Sequence, residues 1–310
     1  MSDTPATLTA FTKHRGNHGG TGYPQIRLVA LLACGTRTLL DAVFGPTTSG
    51  ETTYTQALLP SLRPGMILLA DRNFAAQDLL AQIAATGAHV LVRLKNGRKT
   101  PILARYPDGS YLSMLGRLRV RVIDCEITIC TPAGRQTGLY RLATTLLDPH
   151  RYPAAELITL YHRRWEIETA YLELKSSMLG GRVLRARTPT GVVQEIYALL
   201  VVYQLLRTAM ADATNTQPST DPDRASFSIA WQAARDQIIQ AASVIADTVI
   251  DLVGTIGRHV LADLLPDRRL RVCPRIVKRA ISKYQARGPN IDRTSYKATL
   301  GIDILAPPEP

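Results

Sequence analysis

Residues 66–94 read MILLADRNFAAQDLLAQIAATGAHVLVRL, and this stretch decides the fold class. Met66–Ala70 is an unbroken apolar run of the length of a buried strand, and it stops at Asp71. Ala75–Thr86 reads as a helix closed by Gly87, and His89–Leu94 as a second strand. Working upstream, Glu51–Leu62 has helical composition and ends before Pro64-Gly65. Ile26–Cys34 and Thr38–Phe44 read as two neighbouring strands joined by a tight turn at Gly35. Residues 1–22 are polar and Gly-rich, and no regular element is expected there. Two strands, a helix, a strand, a helix and a strand define an α/β layer fold.

Downstream, the character changes between about 98 and 148. Val120–Ile129 is β-rich, and Thr131–Gly138 has the composition of a hairpin turn. A β-rich insertion is expected there. Pro153 opens a long helical segment that ends at Gly180-Gly181, the usual placement of Pro at a helix start and Gly past its end. Val192–Met210 reads as a second long helix, apolar on most faces and therefore buried. Thr214–Arg224 is a polar loop, and helices resume over about 226–264. The expected organisation is thus residues 1–97 as the first part of a core, 98–148 as the insertion, 149–212 as core helices, and 213–310 as a helical, basic C-terminal region.

The balance of 37 Lys+Arg against 25 Asp+Glu gives a net charge of +12, which points to a polyanionic partner. The surplus is densest in Asp263–Arg287, with eight basic residues and two acidic ones. The four cysteines form no CxxC pair and complete no zinc site with histidines, so buried free thiols in a reducing compartment are expected. The first twenty residues hold no apolar signal-peptide core. The longest apolar runs, near 196–206 and 248–253, read as too short or too interrupted to cross a bilayer. An intracellular protein acting away from membranes is the expectation.

Residues 161–175 read YHRRWEIETAYLELK. At about 100° per residue from Tyr161, Arg164 falls near −60°, Glu168 near −20° and Lys175 near −40°. Leu160, Ile167, Tyr171, Leu174 and Met178 form an apolar stripe directly beside them. A row of Tyr, Arg, Glu and Lys along the edge of a buried face sits at the rim of a cleft. A carboxylate there can bind a divalent cation. Arg, Lys and Tyr around it can hold phosphates. Spacing alone equally fits an ordinary amphipathic helix with i,i+4 pairs such as Arg164–Glu168. Asp71, by itself, equally fits a strand-terminal turn cap, with Asn73 as a cap for the next helix.

The spacing Tyr161-x2-Arg164-x3-Glu168-x6-Lys175 resembles the Y-x2-R-x3-E-x6-K signature of insertion-sequence 4 family transposases. LLADRNF, ending a strand at Asp71, resembles that family's second-aspartate motif, and CPRIVKRAISKY (Cys273–Tyr284) its basic C-terminal end. The resemblance implies an RNase H-like core, a central mixed sheet flanked by helices, interrupted by the β-rich insertion. It implies that Asp71 and Glu168 are catalytic carboxylates holding Mg2+ (or Mn2+), two ions in an intact site, for cut-and-paste cleavage and strand transfer. Tyr161, Arg164 and Lys175 would then contact phosphates, with Arg275, Lys278 and Arg279 in the basic end. The partners implied are double-stranded DNA, both inverted-repeat ends and target, and a second copy in a homodimeric synaptic complex, in a bacterial cytoplasm at the nucleoid.

The family's first catalytic Asp lies on a first core strand that precedes the stretch beginning at Ser2. No such strand precedes Asp3 here, and Asp41 is the only nearby substitute. The expectation is an N-terminally truncated chain, with a DNA-binding protein inactive in cleavage as the alternative. Some relatives stack a flipped base on an insertion Trp; residues 98–148 hold none, leaving Tyr106, Tyr111 and Tyr140.

Overall fold

Strands β3 (Ile67–Ala70) and β4 (His89–Leu94) pair in parallel, with Leu69 opposite Leu91 and Ala70 opposite Val92. The crossover between them carries helix α3 (Gln77–Ala85). This is the strand–helix–strand unit that residues 66–94 predict. Leu79, Leu80 and Ile83 of α3 are buried, while Asp78, Ala81 and Gln82 are exposed. Gly87 turns the chain with φ +80, and its N–H donates to the Ala84 carbonyl at 3.0 Å. Such a φ is strained for any residue with a Cβ.

The computed structural model describes residues 1–13, 22–241, 251–266, 271–272, 276–277, 285–286 and 294–306. Before the parallel pair come α1 (Pro5–Ala10), β1 (Ile26–Leu32), β2 (Leu39–Pro46) and α2 (Glu51–Leu58). After it come β5 (Ala104–Arg105), β6 (Tyr111–Leu115), β7 (Leu118–Thr131), β8 (Gly134–Thr144), α4 (Ala154–His162) and α5 (Glu166–Leu172). The chain continues through α6 (Pro189–Asn215), α7 (Phe227–Ala241) and α8 (Leu252–Ala262). Four two-residue strands follow, β9 (Arg271–Val272), β10 (Ile276–Val277), β11 (Gln285–Ala286) and β12 (Tyr296–Lys297), and then β13 (Thr299–Ile304). Parallel and antiparallel strands flanked by helices make this the expected mixed α/β class.

Two compact units divide the chain: residues 1–92 with 159–266, and residues 93–158 with 267–310. In the first, β1 and β2 form an antiparallel ribbon, Ala30 opposite Ala42. Ile26, Leu28 and Leu32 alternate along β1, and with Leu39 and Phe44 of β2 they pack on a helical core. That core holds Leu174, Ile196, Leu200, Tyr203, Leu206, Phe227 and Val260.

Helix α6 is 27 residues long, N-capped by Thr188 with Pro189 in its first turn. It is not buried all round. Val192, Ile196, Leu200, Tyr203 and Leu206 face the core, whereas Tyr197, Val201 and Leu205 are exposed, Leu205 by 63%. By length and composition α6 could cross a membrane, unlike the shorter run read from the sequence. Its buried Arg207 and its packing on the core residues above are those of a core helix.

In the second unit β7 is the spine. One edge pairs with β8 along its length, Ile123 opposite Leu142. The other edge is shared end to end, by β6 over Leu118–Val122 and by β13 over Cys125–Cys130. Val120, Val122, Ile123 and Cys125 are buried, and so is Arg121 between them. Arg121 is satisfied by Ser110 Oγ at 2.7 Å, Asp108 Oδ2 at 2.6 Å and the Tyr152 carbonyl at 2.7 Å. A buried guanidinium left without such partners would be strongly destabilising.

Candidate active site

Asp71 follows the last residue of β3. It is the N-cap of a short 3-10 turn, Arg72–Phe74, and its Oδ1 accepts the Asn73 N–H at 2.8 Å. Oδ2 takes no hydrogen bond among the described residues. Asp71 is thus the strand-terminal turn cap that the sequence offered as one of its two readings. Asn73 does not cap the next helix: Ala76 is the N-cap of α3 and has no side-chain cap bond.

The signature region is not one uniform helix. α4 gives way to a 3-10 turn over Arg163–Trp165, α5 follows, and Glu173–Met178 is π-helical. The turn spacing therefore changes three times between Tyr161 and Lys175, and the 100° arithmetic holds only in part. Glu168 and Lys175 are exposed, and the Arg164 side chain is 18% exposed. Tyr161 is 6% exposed and belongs to the buried side. Arg164 and Glu168 form the expected i,i+4 pair at 3.9 Å. The Arg164 guanidinium lies 5.7 Å from the Tyr161 ring and 5.4 Å from the Trp165 ring. Its Nε is buried without an acceptor among the described residues. The Lys175 ammonium stands 5.4 Å from the Tyr171 ring.

Two further glutamates in this stretch escape a sequence reading. Glu166 is 3% exposed, and its Oε2 accepts the Gly35 N–H at 2.6 Å. Glu173 is 7% exposed and pairs with Arg37 and Arg207, while Tyr203 Oη lies 3.1 Å from its Oε2. Arg37 also pairs with Asp223. Burial pushes the Tyr203 hydroxyl up to about 12. These partners lie 136, 34 and 186 residues apart in pairs, so no local pattern announces them.

Asp41, the nearby substitute for a first aspartate, lies on β2, where it accepts from Ser61 Oγ and the Ala42 N–H. Tyr111 is buried and bonds Thr100 and Asp124, so it packs. Tyr140 is half-buried, with the Arg93 guanidinium 3.8 Å over its ring. Arg275, Lys278 and Arg279 lie outside the described residues.

Exposed carboxylate oxygens suit a hard divalent cation. Among the described residues, however, no group of three His, Cys, Asp or Glu side chains gathers to hold one. Asp71 and Glu168 are donors of the right kind, two in number.

The transposase DDE domain family matches residues 4–205, and the chain belongs to that family. Membership brings divalent-metal chemistry as a family property. The chain is similar to the transposase InsG for insertion sequence element IS4 of Escherichia coli K12, 27% identical over 293 residues. That match covers 91% of this chain and 66% of InsG, so the chain spans just under two thirds of that relative's length. It is also similar to the putative transposase InsZ of the same organism, 36% identical over 67 residues, 22% of each chain. Among solved structures, a piggyBac transposase synaptic complex with hairpin DNA matches with a TM-score of 0.44 and 9% identity. It covers 79% of this chain and 52% of that one.

Proposed function

We propose that this chain acts in DNA transposition, in the cleavage and transfer of strands at insertion-sequence ends. Asp71 and Glu168 are its catalytic carboxylates, and Arg164 and Lys175 its phosphate contacts, with Tyr161 acting through Arg164, whose guanidinium it underlies. Arg275, Lys278 and Arg279 extend the DNA contact. The observation that carries this reading is the combination of an exposed Glu168, a flanking Arg164 with an unsatisfied buried Nε, and an exposed Lys175 on one helical stretch.

Mg2+ (or Mn2+) bound by these carboxylates would polarise the phosphodiester and favour the attacking oxygen. The chain's own side chains do the rest. Arg164 offers a bidentate fork to a phosphate, and Lys175 a mobile point charge. Asp71 is held in place by the Asn73 N–H, which leaves one oxygen free. The partners are double-stranded DNA, as element ends and target, and a second copy of the chain in the synaptic complex.

The test is a nicking and strand-transfer assay on labelled inverted-repeat ends with Mg2+, comparing the unaltered chain with Asp71→Asn and Glu168→Gln. Cleavage confined to element ends and abolished by both substitutions is expected. Cleavage that ignores the inverted repeats, or that survives both substitutions, sinks the reading. DNA binding that persists in EDTA without any cleavage would reduce the chain to a binding protein.

A further inference from the structure

The signature region ends in a loop that no motif marks, GGRVLRART at 180–188. Gly180 and Gly181 both take left-handed backbone, φ 59 and φ 70. The Gly181 N–H returns to the Lys175 carbonyl at 2.9 Å, so the loop starts against the last signature residue. Arg182, Arg185 and Arg187 are all exposed. Among the described residues, none of their guanidiniums enters a hydrogen bond or an ion pair.

What holds the loop is its backbone. Glu195, on the second turn of α6, accepts the Arg185 N–H with both oxygens at 2.9 Å and the Ala186 N–H at 3.0 Å. On the other side, Ser2 Oγ donates to the Arg185 carbonyl at 3.3 Å and Thr4 Oγ1 to the Arg187 carbonyl at 2.9 Å. The main chain is pinned from both sides and the three cations are left unused. The carboxylate that pins the loop, Glu195, is turned onto backbone N–H groups rather than onto the arginines. A surface loop that needed arginine only for solubility would gain nothing from this pinning. Guanidinium forks carried on a pinned main chain that starts against Lys175 suit phosphate oxygens, because an ordered loop loses less entropy when it binds.

We propose that Arg182, Arg185 and Arg187 form a preorganised grip on the phosphates of duplex DNA, continuous with Lys175. The assignment of duplex DNA rests on the transposition reading above; the grip itself rests on the pinned loop.

The test is the salt dependence of DNA binding in EDTA, where cleavage plays no part. Fluorescence anisotropy with a labelled duplex would compare the full chain with Arg182→Gln, Arg185→Gln and Arg187→Gln combined. Each arginine that neutralises a phosphate steepens the plot of log affinity against log salt by about 0.9, so the triple variant should be flatter by about 2.7. Affinity near 0.1 M salt should fall on the order of a hundredfold. Arg185→Gln alone should flatten the slope by about 0.9, should the triple variant fold poorly. Glu195→Ala separates order from charge. It removes a negative charge, so charge alone would tighten binding, whereas an unpinned loop weakens it; weakening is expected, and tightening would overturn the preorganised grip. Unchanged slope and affinity in the triple variant would overturn the grip and leave the transposition reading standing. Absence of salt-dependent binding by the unaltered chain would overturn both. Equal binding of single-stranded RNA, abolished by the same substitutions, would overturn the choice of duplex DNA.

Discussion

Glu168 and Glu173 are five residues apart and chemically identical, yet they do opposite things. Glu168 has a 53% exposed side chain and a loose partner in Arg164. Glu173 is buried against two arginines and a tyrosine. Exposed ion pairs contribute little, whereas removing one member of a buried pair strands a charge. Glu173→Ala should therefore cost about 3–5 kcal/mol in urea unfolding. Glu168→Ala should stay within about 0.5 kcal/mol. Equal losses at the two positions would contradict this division of roles. The linear pattern does not announce the division: the spacing puts Glu168 beside a buried face, but nothing local to Glu173 points to Arg37 or Asp223.

At the scale of elements, the β3–α3–β4 unit is legible to within a residue or two, because a buried strand, a capped helix and a glycine turn each leave local marks. Gly87 makes the turn into β4. Its φ is +80, and an added Cβ would meet Pro64 at 3.1 Å. Gly87→Ala should lower stability by about 1–2 kcal/mol from the left-handed backbone alone, read as a drop in Tm. Helix α6 is less legible, since the pattern reads as buried on most faces. Its composition is apolar throughout, and composition does not say which face meets the core. Leu206 is 3% exposed and Leu205 63%. Leu206→Ala should thus cost about 2–5 kcal/mol, and Leu205→Gln about 0.5 kcal/mol or less, in the same unfolding measurement.

For the whole molecule, buried neutral acids set the alkaline limit. Burial, with Asp124 nearby, pushes the Cys125 thiol up to about 11. Burial holds Tyr171 and Tyr203 at about 12. Each of these groups ionises in the unfolded chain before it does in the folded one. Their contribution to stability is therefore full below about pH 8.5, where thiols begin to ionise in an unfolded chain, and erodes as pH rises toward about 12. Asp108 acts at the other end. Burial would raise its carboxyl, but Ser110, Arg121 and the Ala154 N–H outweigh this and hold it below the usual range. Its stabilisation is present above about pH 3.9 and is lost as pH falls through its lowered value. Thermal melts across pH should show both shoulders, with Asp108→Asn removing much of the acidic one. A melting temperature flat from about pH 8 to 11 would contradict the alkaline half.

By itself the sequence determined the α/β class, the strand-end position of Asp71, the family signature around Glu168 and the basic charge that seeks a polyanion. All of these are local or compositional, written in apolar runs, fixed spacings and residue counts. Only the tertiary structure decided which carboxylates are buried, which side of α6 faces solvent, and that three arginines after Lys175 stand, among the described residues, unpaired on a pinned loop. Those outcomes depend on partners brought together from more than a hundred residues away, such as Ser2 on Arg185 or Arg37 on Glu173. Burial and pairing are properties of the packed chain, and a linear pattern does not encode them.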